Sequence, residues 1–200
     1  MRVRLERLSG SDIQSRLAEV SALRLQVFRE WPYLYDGDLA YEAEYLATFS
    51  QATDAVIVCA YDGDEMVGAA TAAALAGHTD EFVPLFASAG YDPAEVFYCG
   101  ESVLLPRYRG QGIGHRFFDF REDHARGLNT RGARFRYATF CGVVRPKADP
   151  RKPAGYRPLD AFWRKRGYEK ASGLVGEYAW REIGDTEETP HPMQFWLKRL

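Results

Sequence analysis

The chain has 200 residues, enough for one domain or for one domain with a large insertion. Hydrophobic residues make up 46% and aromatics 14%, which supplies a large core and excludes a disordered chain. With 26 basic and 28 acidic residues the formal charge is −2, so coating nucleic acid is not its main business and at most a local basic patch remains.

In chain order, Val3 and Leu5 alternate with charges and predict a first strand. The N-terminus has no apolar core of a signal peptide, and no apolar run approaches the ~20 residues that span a bilayer, so a soluble cytoplasmic protein with no membrane partner is expected. Ser11 or Asp12 caps a helix to about Arg29, with Ile13, Leu17, Val20, Leu23 or Leu25, and Val27 at helical spacing. The segment EWPYLYDGD breaks that helix, and a second helix is predicted over residues 39–49. Residues 55–61 and 66–75 read as two strands joined by an Asp-Gly turn, a hairpin signal. A short helix falls within residues 77–90, a strand over 95–105, a helix over 113–127 and a strand over 133–144. Residues 145–158 hold four prolines and five cations and must be a loop. A short helix over 159–166 and strands over 173–180 and 193–197 follow, with the acidic residues 185–188 in a loop between them. There is no internal repeat and no linker, so residues 1–200 are expected to form a single domain of mixed α/β class, a sheet covered by helices. The strand–helix–strand run over 95–144 supplies a parallel crossover.

Cys59, Cys99 and Cys141 lack CxxC spacing and sit in apolar runs, so they read as reduced buried thiols; a nucleophilic Cys141 would need a base nearby. The four histidines have no metal-ligand spacing, and no metal is expected.

The stretch ESVLLPRYRGQGIGHRFFDF opens a helix with Gly110, Gly112 and Gly114 and with no Ser, Thr, Asp or Asn to cap it. Bare first-turn amides, a positive helix end and Arg107, Arg109, His115 and Arg116 make an anion site, most naturally for a phosphate. A Walker loop is excluded because no Gly-Lys-Ser/Thr follows, and the G-x-G-x-G spacing departs from the Rossmann fingerprint. A glycine-rich turn without a ligand is the plainer alternative.

The run Leu104-x-Pro106-x-Tyr108-Arg109-Gly110-x-Gly112-Ile113-Gly114 resembles the acetyl-CoA loop of the GNAT acyltransferase superfamily, whose core signature [RQ]-x-x-G-x-[GA] is met by Arg109, Gly112 and Gly114. Phe162, Trp163, Gly167 and Tyr168 resemble that family's second motif, an aromatic short helix ending in Gly-aromatic. The resemblance is strong over about residues 95–170, topological over 1–75 and loose at the C-terminus. It implies a mostly antiparallel sheet with one splayed parallel strand pair, helices on both faces, and acetyl-CoA as acyl donor. Main-chain groups of Ser102, Val103 and Leu104 would then pair with the pantetheine arm. Amides of Gly110, Gln111, Gly112, Ile113, Gly114 and His115 would hold the pyrophosphate, and the thioester would sit between the 95–105 and 133–144 strands.

Amine attack on a thioester needs a free amine, a base or water relay, and a proton for the leaving thiolate. Glu101, a carboxylate in an apolar strand beside the pantetheine segment, is the first choice of base; a structural partner for an arginine or an amide is the alternative. The tyrosine that many family members use as acid aligns with Trp163, so Tyr156, Cys141 or water takes that part. Trp31, Tyr33 and Tyr35 could cover a cationic acceptor, and Asp36 and Asp38 could attract it; an ordinary helix–helix loop is the alternative. Arg145, Lys147, Arg151 and Lys152 could meet a coenzyme A phosphate, or form a solvated loop. The expected activity is N-acetyl transfer to a small-molecule or protein amine by direct attack. A non-catalytic coenzyme A-binding sensor is the alternative, and a dinucleotide redox protein is disfavoured by the glycine spacing. Exposed edges of the last strands would allow pairing with a second copy.

Overall fold

A computed structural model describes residues 3–77 and 79–200. Met1 and Arg2 of the N-terminal reading, and His78 of the short-helix and metal readings, lie outside the described residues.

The strands are β1 (Arg4–Ser9), β2 (Val56–Asp62), β3 (Glu65–Ala74), β4 (Val96–Tyr98), β5 (Ser102–Leu104), β6 (Tyr137–Val143), β7 (Glu169–Trp180) and β8 (Thr189–Arg199). The helices are α1 (Leu17–Phe28), α2 (Leu39–Ser50), α3 (Val83–Ser88), α4 (Ile113–Asn129) and α5 (Asp160–Lys165). The strands form one sheet of order β1-β2-β3-β4-β6-β8-β7, with β5 paired to β3. All pairings are antiparallel except β4 with β6. This is the mixed sheet with one parallel pair that the sequence predicts.

Alternate residues of β4 point to opposite faces and meet different helices. Phe97 packs with Phe118 of α4, Phe140 and Trp196, and with Phe162 and Trp163 of α5. Val96 and Tyr98 pack instead with Phe86 of α3, Phe82 and Phe195. A third cluster joins α1 and α2 to β1, β2 and β3 through Val20, Leu23, Leu46 and Phe49. No described helix is long and apolar enough to cross a membrane.

Several bounds differ from the sequence reading for physical reasons. The predicted 11–29 helix begins as a tight 3-10 segment, Gly10–Arg16, with no side-chain cap, and becomes α-helical only at Leu17. The 95–105 strand is two strands broken at Gly100. The last two strands are longer than predicted. Exposed residues hide the start of β7, whose register shifts between Lys170 and Val175 around Gly173. Pro190 and Pro192 hide the start of β8; both lie beyond Met193, its last partner for β6, where one edge needs no ladder donor.

Candidate active site

The break at Gly100 builds the site. Cys99 N–H donates to the Thr139 carbonyl at 2.7 Å, and no later residue of this segment pairs with β6 among the described residues. Gly100 N–H donates instead to Thr71 O, and Thr71 N–H to Glu101 O, each at 3.1 Å. The chain then pairs with β3 alone, Ser102 opposite Ala70 and Leu104 opposite Gly68, while β6 continues beside β8. The parallel pair therefore parts after Cys99. A Cβ on Gly100 would lie 2.8 Å from the Thr71 hydroxyl oxygen, so only glycine fits this crossing. Arg121, buried in α4, locks it: one guanidinium nitrogen donates to Thr71 O at 3.2 Å and to Glu101 O at 3.1 Å.

The bulge turns Glu101 inward. Its surroundings are polar rather than the apolar strand setting read from sequence. Arg24 of α1 lies 2.9 Å from its Oε1, and the Tyr45 hydroxyl of α2 donates to Oε2 at 3.4 Å. Arg24 also pairs with Glu42 of α2, which is fully buried and accepts a 3.0 Å bond from the Tyr35 hydroxyl. Burial first, then the neighbouring carboxylates, push the Tyr35 and Tyr45 phenols well above their ordinary value. One guanidinium thus serves two buried carboxylates.

The glycine turn follows as predicted. Gly110 (φ 77°) and Gly112 (φ 81°) both lie in the left-handed region, and Gly112 is the N-cap of α4 with no side-chain cap. Glycine takes these angles without the Cβ clash other residues meet. The helix is seated by buried Ile113, Phe117, Phe118 and Ala125; Phe120 is only half-buried. The Arg109 side chain bonds Leu104 O at 3.0 Å and Glu30 at 2.9 Å, bracing the turn against β5 and the end of α1 rather than projecting beyond it. Gln111 folds back onto Arg107 O, and His115 lies against the Phe162 ring at 4.8 Å. Side-chain capping is absent, two glycines are left-handed, and the chain has left β6 before β5 begins. These features fit a ligand with an extended arm and an anionic tail.

The predicted acceptor residues come together only in part. Tyr33 packs against Phe28 at 4.7 Å and Trp180 at 5.8 Å, and burial, with Cys141, Tyr156 and Glu101 nearby, pushes its phenol up. Tyr35 is spent on Glu42. Asp36 pairs with Arg29 at 2.7 Å and Arg181 at 3.7 Å, and Asp38 caps α2 through the amides of Ala40 and Tyr41. Trp31 already carries a cation over its ring, Arg145 at 5.6 Å. Tyr156 is half-buried, its ring edge-on to Trp31 at 6.1 Å, and burial raises its phenol.

Cys141 is an inert thiol: burial pushes it up to about 12, and its neighbour is the Tyr98 hydroxyl at 3.3 Å, not a base. Trp163 packs on Phe140 and Trp196, and its indole would lie 3.1 Å from a Cβ on Gly142. The basic loop is not simply solvated. Arg145 donates to Pro32 O and Tyr33 O and pairs with buried Glu182, which also holds Arg151; Arg151 binds Asp149 as well. These two arginines are committed to the protein.

Arg24, Glu42, Arg121 and Glu182 escaped the sequence reading. For three of them a signal existed. Arg24 lies one turn from Val20 and Val27, Glu42 one turn from Leu46, and Arg121 one turn from Phe117, each on the buried stripe of its helix. A charge on such a stripe needs a buried partner.

The model of the acetyltransferase (GNAT) family matches residues 22–140, and the chain belongs to that family, which uses acyl-CoA. The second motif, residues 162–168, lies beyond the match. No curated protein matches the sequence. Solved structures of similar fold include a GNAT-family acetyltransferase from Streptococcus pneumoniae (13% identity, TM-score 0.60, all of both chains covered). A ribosomal-protein-alanine N-acetyltransferase from Brucella melitensis is similar at 15% identity and TM-score 0.58, covering 98% of this chain and 99% of that one. So is a Thermoplasma acidophilum PaiA N-acetyltransferase in complex with coenzyme A, at 11% identity and TM-score 0.55 over all of both chains.

Proposed function

We propose that residues 1–200 form one catalytic domain that transfers an acetyl group from acetyl-CoA to a primary amine by direct attack within a ternary complex. One observation carries the reading: a buried carboxylate, Glu101, stands where the chain leaves β6 between β4 and β5, one residue before the strand that leads to the uncapped glycine turn of α4. Main-chain groups of Ser102, Val103 and Leu104 hold the pantetheine arm, and the amides of residues 110–114 hold the pyrophosphate; the His115 amide, assigned to it from sequence, already donates to Gly112 O at 3.1 Å. When bound, acetyl-CoA supplies the activated acyl group. Glu101 accepts the proton of the acceptor amine, and Tyr33, near Cys141 of β6, lines the acceptor side. Tyr156, half-buried beside Trp31, is the donor proposed for the leaving thiolate, although burial raises its phenol and so makes it a weaker acid.

Thiol release from acetyl-CoA with a panel of primary amines tests this. The expected result is saturable, amine-dependent release. Trp163, packed where the family's tyrosine would stand, favours a second reading, a coenzyme A sensor. Tight acetyl-CoA binding without release on any amine would establish that reading instead.

Gly112→Ala separates the turn from the chemistry. A Cβ there meets nothing within 4 Å, so the effect is purely one of backbone strain at φ 81°. A left-handed non-glycine residue costs about 1–2 kcal/mol. Relief of that strain would misalign the amides. Calorimetry should show acetyl-CoA binding weakened by about tenfold, with kcat at saturating acetyl-CoA little changed. Unaltered affinity would remove the pyrophosphate from this turn.

A further inference from the structure

The Arg24 guanidinium is the shared element of a buried array that family membership does not assign. Arg24 is 8% exposed, Glu101 7% and Glu42 0%. Two buried carboxylates face one guanidinium. The Glu101 side is the weaker half. Its Oε1 lies 2.9 Å from Arg24 but makes no aligned hydrogen bond, and its bond from Tyr45 is long at 3.4 Å. The Glu42 side is the stronger half, held by Arg24 through Nε and by the Tyr35 hydroxyl at 3.0 Å. Arg24 is itself fixed in place, its guanidinium 4.5 Å from the Tyr45 ring centre and 5.2 Å from that of Phe28.

We propose that Glu42 and Tyr35 are positioning residues for the reaction: by drawing Arg24 toward α2 they leave the Glu101 carboxylate only partly neutralised and therefore able to accept the acceptor's proton. This rests on the reading of Glu101 as base. The physical basis is competition. A full guanidinium partner favours the ionised carboxylate and weakens it as a base, whereas a second carboxylate nearby has the opposite effect. Other groups face Glu101 as well, namely Tyr45 from α2, Thr71 from β3 and Arg121 from α4 on its carbonyl. The phenols of Tyr33 and Tyr98 are also within electrostatic reach.

The test is the pH profile of kcat/KM for the full chain and three variants, with thermal stability measured alongside. Glu42→Gln frees Arg24 for Glu101, and the acid limb should move to lower pH by about one unit, the lower end of what a neighbouring charge does. Its plateau should fall, because the base is weaker. Tyr35→Phe removes the donor that shares the load on Glu42, so Arg24 is drawn further toward α2 and the limb should move up. Opposite shifts are not the mark of a merely structural role. If Glu42→Gln does not fold, Tyr35→Phe carries the test alone. Unmoved limbs in the folded variants, with Glu101→Gln inactive, would overturn the tuning and leave the base assignment standing. Normal turnover in Glu101→Gln would overturn the base assignment itself.

Discussion

Glu101→Gln is expected to lower kcat/KM by about two to four orders of magnitude, the usual contribution of a positioned general base. Acetyl-CoA affinity should hardly change. Glu101 touches the cofactor segment only through the backbone, and the bulge that orients it is made by Gly100, Thr71 and Arg121, none of which the substitution alters. Glutamine keeps the shape and one acceptor oxygen, enough for either Arg24 or Tyr45, but cannot take a proton. Steady-state kinetics with calorimetry on the same variant separates the two effects. Near-normal turnover across pH would mean that the carboxylate is an anchor for Arg24 and Tyr45, the structural alternative already open at the level of sequence.

Glu182→Ala should destabilise the protein by about 3–5 kcal/mol, the loss seen when one partner of a buried ion pair is removed. Glu182 is 4% exposed and joins Arg145 and Arg151, with His191 at 3.5 Å. Without it the half-buried Arg145 guanidinium keeps the Pro32 and Tyr33 carbonyls but no counter-charge. At roughly 2–4 °C per kcal/mol for a chain of this size, the melting temperature should fall by about 6–20 °C. A change under 1 kcal/mol would show that the network contributes little.

The pH dependence has a definite sign. Burial opposes ionisation of Glu182, but the hydrogen bonds from Arg151 and Arg145 and their charges outweigh it and hold the carboxyl below its ordinary value. Its contribution is then complete above the unfolded value of about 4.3 and is lost as pH falls through the lower folded value. The variant should therefore differ most from the natural protein above about pH 5 and converge on it in acid.

The β2–β3 hairpin and the glycine turn were legible because both are local. The hairpin of β2 and β3 is written in two apolar runs and an Asp-Gly step. The turn before α4 is written in three glycines and a missing cap. What escaped the sequence depends on contacts between distant segments. Gly100 looks like any strand glycine until Thr71, from the neighbouring strand, lies where its Cβ would be. EWPYLYDGD has the composition of a cation-binding loop, yet its charges are matched from elsewhere in the chain, by Arg29 and Arg181 on Asp36 and by Arg145 over Trp31. The proline-rich loop reads as solvated because Glu182, its counter-charge, lies beyond β7. Residue types named the candidates; only the packing decided which of them remained free for a ligand.

Amide hydrogen exchange at residues 102–104 and 110–114, with and without acetyl-CoA, tests the central claim most directly. The glycine turn has no side-chain cap, so its amides should exchange quickly in the free protein and gain protection when acetyl-CoA is bound. Equal protection in both states, with acetyl-CoA bound elsewhere or not at all, would contradict the assignment of this turn and strand as the cofactor site.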